Sequence, residues 1–213
     1  GDSFIESDIM TTDLRALLQD KYGGNGVGWV DCGKTTNSAR PTVRVATNGF
    51  TSHSVMERKT FNTSQQGISQ RYFTVAGSAQ ATFSGTTWNN HCGSWGTSTL
   101  YFKTSTPISI TATMNDGEQK SFSIEAASNV QSVSVTGQMT KVKWAVNGAN
   151  SSTQFYGTAL DPKNGVVVDN FAMRGSAGMS LASIPEQTMK EMAAKRPYDM
   201  LVLQFGLNAT SQR

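Results

Sequence analysis

Residues 107–125, P-I-S-I-T-A-T-M-N-D-G-E-Q-K-S-F-S-I-E, decide the texture of this chain. Apolar and polar residues alternate on both sides of Asn115-Asp116-Gly117, the two-residue period of strands buried on one face. The three turn residues tolerate the left-handed backbone that a tight hairpin requires. Working outward, the same texture recurs in T-V-R-V-A-T (42–47), Q-R-Y-F-T-V-A (70–76), A-T-F-S-G-T-T-W (81–88) and S-T-L-Y-F-K-T (98–104). It continues through V-Q-S-V-S-V-T (130–136) and T-K-V-K-W-A-V (140–146). Roughly eight strands, with turn signals about every ten residues, predict an all-β sandwich or jelly roll over 41–147.

The flanks read differently. Residues 12–22, T-D-L-R-A-L-L-Q-D-K-Y, place Leu14, Leu17, Leu18 and Tyr22 on one helical face, with Thr12 or Asp13 as cap and Gly23 as stop. A glycine-rich loop follows at 23–30. After residue 150, F-Y-G-T-A-L (155–160), G-V-V-V-D-N (165–170) and Y-D-M-L-V-L-Q-F (198–205) are largely apolar runs, of the kind a parallel sheet buries on both faces. A helix is expected near 184–195, with Ser183 as cap, Pro185 in its first turn, and Met189, Met192 and Ala193 inward. The expected fold class is therefore α/β: a parallel-sheet domain from 1–40 and 148–213, interrupted by the β module at 41–147.

Composition excludes several function classes. With 18 Lys+Arg against 15 Asp+Glu, the net charge of +3 indicates neither a nucleic-acid stripe nor a membrane-surface helix. No run of 18 apolar residues spans a bilayer, and the basic, apolar and small-residue order of a secretion signal is absent. Cys32 and Cys92 lack the spacing of a zinc site, so no metal or cofactor is expected. They could form one disulfide or remain two free thiols.

Gly1-Asp2-Ser3 precedes the first helix closely, so the serine falls in a short turn with its hydroxyl exposed and its N–H free to donate. Two other stretches run from expected strands into glycine-bearing loops: G-V-V-V-D-N-F-A-M-R-G-S-A-G (165–178) and V-L-Q-F-G-L-N (202–208). Loops of this kind converge at the carboxyl edge of a parallel sheet, where they can assemble an oxyanion hole.

These residues resemble the SGNH (GDSL-type) hydrolases over about 1–30 and 155–210. The family's first block is matched by Gly1-Asp2-Ser3, the second block's glycine by Gly175, and the third block's G-x-N by Gly206-Leu207-Asn208. The resemblance implies a three-layer α/β/α domain with Ser3 as nucleophile, and an oxyanion held by the Ser3 and Gly175 N–H groups and the Asn208 amide. The flanking L-R-A-L-L-Q and Y-G-T-A-L are similar to the branch that includes bacterial peptidoglycan O-acetylesterases, some of which carry an inserted β module. That implies a secreted or periplasmic esterase acting on an acetylated polysaccharide.

The departures are specific. Asn208 is followed by Ala209 rather than an acidic residue, and no Asp-x-x-His block occurs. The expected strand before Ser3 is also missing, so the dyad and the rest of the domain are expected beyond Arg213, and these residues alone should turn over little substrate. His53 and His91 lie inside the β module and read as turn or surface histidines. Asp161, Asp169 and Asp199 read as ordinary strand-edge or turn residues. Trp88 and Trp95, in T-T-W-N-N-H-C-G-S-W, could stack on sugar rings or pack in the core. The alternative to an esterase is a non-catalytic carbohydrate-binding protein that uses the β module. A lipase or thioesterase is a further alternative, although no extended apolar loop for an acyl chain is visible.

Overall fold

The computed structural model describes residues 1–33, 40–57 and 59–210. Among them are two α-helices, α1 (Ile9–Tyr22) and α2 (Glu186–Lys195), and nine strands. The strands are β1 (Gly28–Val30), β2 (Val43–Ser54), β3 (Arg71–Gly85), β4 (Trp95–Lys103), β5 (Ile108–Met114), β6 (Gln119–Ile124), β7 (Gln131–Met139), β8 (Lys141–Ala149) and β9 (Gln154–Asp161). All belong to one sheet in the order β6-β5-β8-β3-β9-β4-β7, with β1 added to β9 and β2 to β3. Every ladder is antiparallel.

The hairpin at 107–125 forms as its alternation demands. β5 pairs with β6 from Ile108↔Ile124 to Thr113↔Gln119, and Asn115 and Asp116 take positive φ in the turn. Ile108, Ile110 and Ala112 point into the core. The Asn115 carboxamide oxygen accepts from the Thr140 N–H at 2.9 Å, fixing the turn against the β7–β8 connection. The sheet curls towards a nearly closed barrel around one apolar cluster that contains Trp144 of β8, Leu100 and Phe102 of β4, and Phe155 of β9. Across that core, Trp144 Nε1 donates to Ser98 Oγ at 3.1 Å, so this wholly buried indole is also polar-satisfied.

The expected three-layer α/β/α domain with a parallel sheet is not what forms. F-Y-G-T-A-L belongs to β9, an antiparallel strand between β4 on one side and β1 and β3 on the other. It is buried along almost its whole length because strands flank it and both its faces are covered. Periodicity reports that burial but not the direction of the neighbours. The runs at 165–170 and 198–205 form no ladder among the described residues.

Helix α1 also turns the other way round. Leu14, Leu17 and Tyr22 stand 49%, 68% and 57% exposed, while Thr12, Arg15, Ala16 and Gln19 are buried. A polar tether selects this face. Arg15 makes two 2.9 Å bonds to the Asp8 carboxylate and donates to Val168 O at 2.8 Å. Gln19 Nε2 donates to Gly26 O and Val166 O. Arg40 closes the cluster, donating to Asp8, Trp29 O and Val27 O. Four buried hydrogen-bonded groups thus outweigh the transfer gain of the leucine stripe, because leaving them unpaired would cost more than exposing apolar carbon. Helix α2 buries Thr188 and Met192 and leaves Ala193 exposed.

Met200, Leu201, Val202 and Leu203 stand 71–78% exposed in an extended segment. Four consecutive exposed apolar side chains form a sticky surface. Replacing Leu201 and Leu203 with lysine should therefore reduce concentration-dependent association in sedimentation velocity and leave the melting temperature nearly unchanged. Association that persists in the double variant would locate the sticky surface elsewhere.

Candidate functional site

Hydrogen bonds draw three distant segments together. Met173 N donates to Gly1 O at 3.0 Å, and Asp2 N approaches Gln204 Oε1 at 3.5 Å. The Asn208 amide donates to Ser176 O at 3.2 Å. Ser3 and Gly175 each lie two residues beyond the same Gly1–Met173 bond. Ser3 is exposed on a turn in which Asp2 O accepts from Ile5 N and Glu6 N. Asp2 is fully buried: Oδ1 accepts from Phe4 N at 3.1 Å, and Oδ2 has no partner. Gly175 has φ 74°, a conformation costly for any residue with a Cβ, and begins the turn to Gly178, whose N–H donates to Ser176 Oγ.

The histidines are engaged elsewhere. His53, on β2, stacks on Tyr72 with ring centroids 4.5 Å apart and shares a 3.0 Å hydrogen bond with Thr74. Burial pushes its pKa down. His91 pairs with Asp20 of α1 at 2.6 Å. Neither hydrogen-bonds Ser3 among the described residues. Asp161 and Asp169 both clamp Arg196, through four contacts of 2.6–2.9 Å, and Asp169 also accepts from Trp29 N and Tyr198 OH. Their role is to hold the start of the 197–205 segment against β1 and β9. Asp199 is exposed. Cys32 and Cys92 are both buried free thiols, and burial raises the pKa of each. Trp95 is wholly buried in the core, whereas Trp88 is 62% exposed.

The sequence did not point to a cleft of about 390 Å³ beside Gly175 and Ser176. Its other wall is the connection from β2 to β3, which contributes Val55, Met56 and Phe61. Buried side chains lock the two walls together. Gln66 Nε2 donates to Ser183 O at 2.8 Å and Ser183 Oγ at 3.2 Å, and Ser180 Oγ donates to Gln70. Phe61 rests on Tyr72, with centroids 5.5 Å apart. The only sequence signal was three apolar residues, Val55, Met56 and Phe61, in an otherwise polar stretch, V-M-E-R-K-T-F-N.

No protein-family model matches the chain, and no curated protein matches it in sequence. Among solved structures it is similar to a peptidoglycan O-acetylesterase, with TM-score 0.65 and 16% identity over 91% of this chain and 51% of that one. The chain thus spans about half the length of that protein. A mannohexaose complex of a family 29 carbohydrate-binding module mutant gives TM-score 0.38 and 6% identity over 66% of this chain and 92% of that one. The family 32 module of C. perfringens NanJ with galactose gives TM-score 0.36 and 10% identity over 56% and 93%. The expected membership of the SGNH hydrolases is corrected by these findings: no family model supports it, and the described residues form a nearly closed antiparallel sheet with two α-helices. Among the described residues, no helix is long and apolar enough to cross a membrane.

Proposed function

We propose that this chain recognises carbohydrate, acting as a binding protein rather than a hydrolase. The observation that carries the carbohydrate part of the reading is the fold shared over 91% of the chain with a peptidoglycan O-acetylesterase. The non-catalytic part is supported by His53 and His91 being engaged with Thr74 and Asp20 rather than with Ser3. Mild net charge and an exposed aromatic at Trp88 are compatible with a largely uncharged polymer. Calorimetric titration of the chain with soluble peptidoglycan fragments and with neutral plant oligosaccharides tests it. Saturable binding of at least one of them, unaltered by Ser3→Ala, is expected. Heats of dilution alone with every glycan would remove the reading.

A second reading, ester hydrolysis at Ser3, is favoured by one observation: hydrogen bonds join the segments bearing Ser3, Gly175 and Asn208. It requires a base, since a serine hydroxyl is a weak nucleophile near neutral pH. Acetate release from an aryl acetate that disappears in Ser3→Ala would establish it. No release, or release indifferent to that change, would end it.

A further inference from the structure

We infer that the cleft between the β2–β3 connection and residues 175–180 is the subsite for a neutral N-acylated sugar, a ligand assignment that rests on the carbohydrate-binding reading. Its volume of about 390 Å³ falls within the roughly 300–1,000 Å³ of small-molecule sites. The described residues that line it are uncharged. Both walls are mixed: Val55, Met56 and Phe61 with Thr63 on the β2–β3 side, and Met179 with Ser176 on the other. An acylated hexosamine offers both kinds of surface, a methyl group and an apolar ring face together with hydroxyls and an amide. A uronic acid or sulfated sugar would have to surrender its hydration to this lining without a compensating cation among the described lining residues.

The cleft is also built to persist in the unliganded chain. Gln66 is wholly buried and bridges to Ser183 from the β2–β3 side, and Gln70, with φ 57°, receives Ser180. The Phe61 ring is backed by Tyr72, which His53 stacks from the sheet. Little ordering of the walls remains to be done on binding, and preorganisation of this kind favours affinity. Met56 is 47% exposed and its methyl lies near Gly175, 3.0 Å from where a Cβ would stand. Met56 therefore sits at the mouth, where a polarisable thioether can close over a methyl group.

The test uses the full chain with two probes, chitotriose and its fully de-N-acetylated counterpart, followed by backbone amide shifts in NMR titration. Chitotriose should shift amides at 55–63 and 175–180, and the deacetylated trimer should bind at least about tenfold more weakly. Met56→Lys, at a half-exposed position where folding is undisturbed, should weaken chitotriose to a similar degree. Phe61→Ala should do the same wherever its melting curve matches the parent's. Chitotriose binding that leaves these amides unmoved, ignores Met56→Lys, or prefers the deacetylated trimer overturns the subsite while leaving carbohydrate recognition standing. If chitotriose does not bind but another oligosaccharide does, only the N-acyl assignment falls. If no oligosaccharide binds, the carbohydrate reading falls with it.

Discussion

Asp8→Ala should cost about 3–5 kcal/mol, the usual penalty for removing one partner of a buried ion pair. The carboxylate is wholly buried and sits between two guanidiniums, with Arg15 at 2.9 Å and Arg40 at 3.1 Å; it also accepts from Thr42 Oγ1 at 2.7 Å. Without it, two cations face each other inside the protein while α1 loses the anchor that determines which face it buries. A domain with 5–15 kcal/mol of total stability would lose a large part of it, and urea unfolding would show the midpoint fall. Burial by itself would raise the Asp8 pKa, but the Arg40 and Arg15 charges, with hydrogen bonds from Arg15 and Thr11, outweigh it and hold the carboxyl well below the usual range. A depressed folded pKa contributes stability that is complete above the unfolded value, near 3.9, and is lost as pH falls through the folded one. The parent should therefore lose stability progressively below about pH 4, and Asp8→Asn should flatten that part of the curve. An acid limb unchanged in Asp8→Asn would count against the arrangement.

Trp29→Ala should be comparably severe, at about 3–5 kcal/mol for a large buried aromatic. The ring lies 5.3 Å from Tyr101 and 5.4 Å from Phe171, joining the sheet to the residues that carry α2. Its indole N–H donates to Asp31 at 3.2 Å. The backbone beneath it is Gly157 of β9, where an added Cβ would come within 2.6 Å of the ring. The strand has shed a side chain to admit the indole, so no neighbour is placed to fill the space. The loss should appear as a lower melting temperature together with reduced near-ultraviolet dichroism. A variant within 1 kcal/mol of the parent would mean that the surrounding loops collapse into the void.

The strands of the β region were legible because their evidence is local. Asn115-Asp116-Gly117 and the alternation around it specify one hairpin with no reference to the rest of the chain. Which neighbour a strand takes is not local, and so Phe155–Leu160 read as a parallel strand although its apolar run correctly reported burial. The helix at Leu14 and Leu17 was legible as a helix, but its buried face was not. That choice is made by Asp8, Arg15 and Arg40, whose meeting no hydrophobic period records. Trp88 and Trp95 sit seven residues apart in one motif, and only the start of β4 at Trp95 separates the core ring from the exposed one. The stretches bearing Ser3, Gly175 and Asn208 stood out by their glycines and amides. Met56 and Phe61 did not, because a cleft wall made by a connection has no repeating pattern.

The fifteen residues of β3 carry a kinetic consequence. β2 runs along almost its whole length, β8 pairs with its second half, and β9 meets it at Phe73. The β8 and β9 partners share the edge opposite β2 and lie roughly sixty to eighty positions away along the chain, so that edge cannot zip up before a long loop is closed. Assembly of this sheet is thus expected on the slow side for a domain of its size, in milliseconds to seconds rather than microseconds. Early steps should be confined to the neighbouring β5–β6 and β2–β3 ribbons, with docking onto the shared strand as the bottleneck.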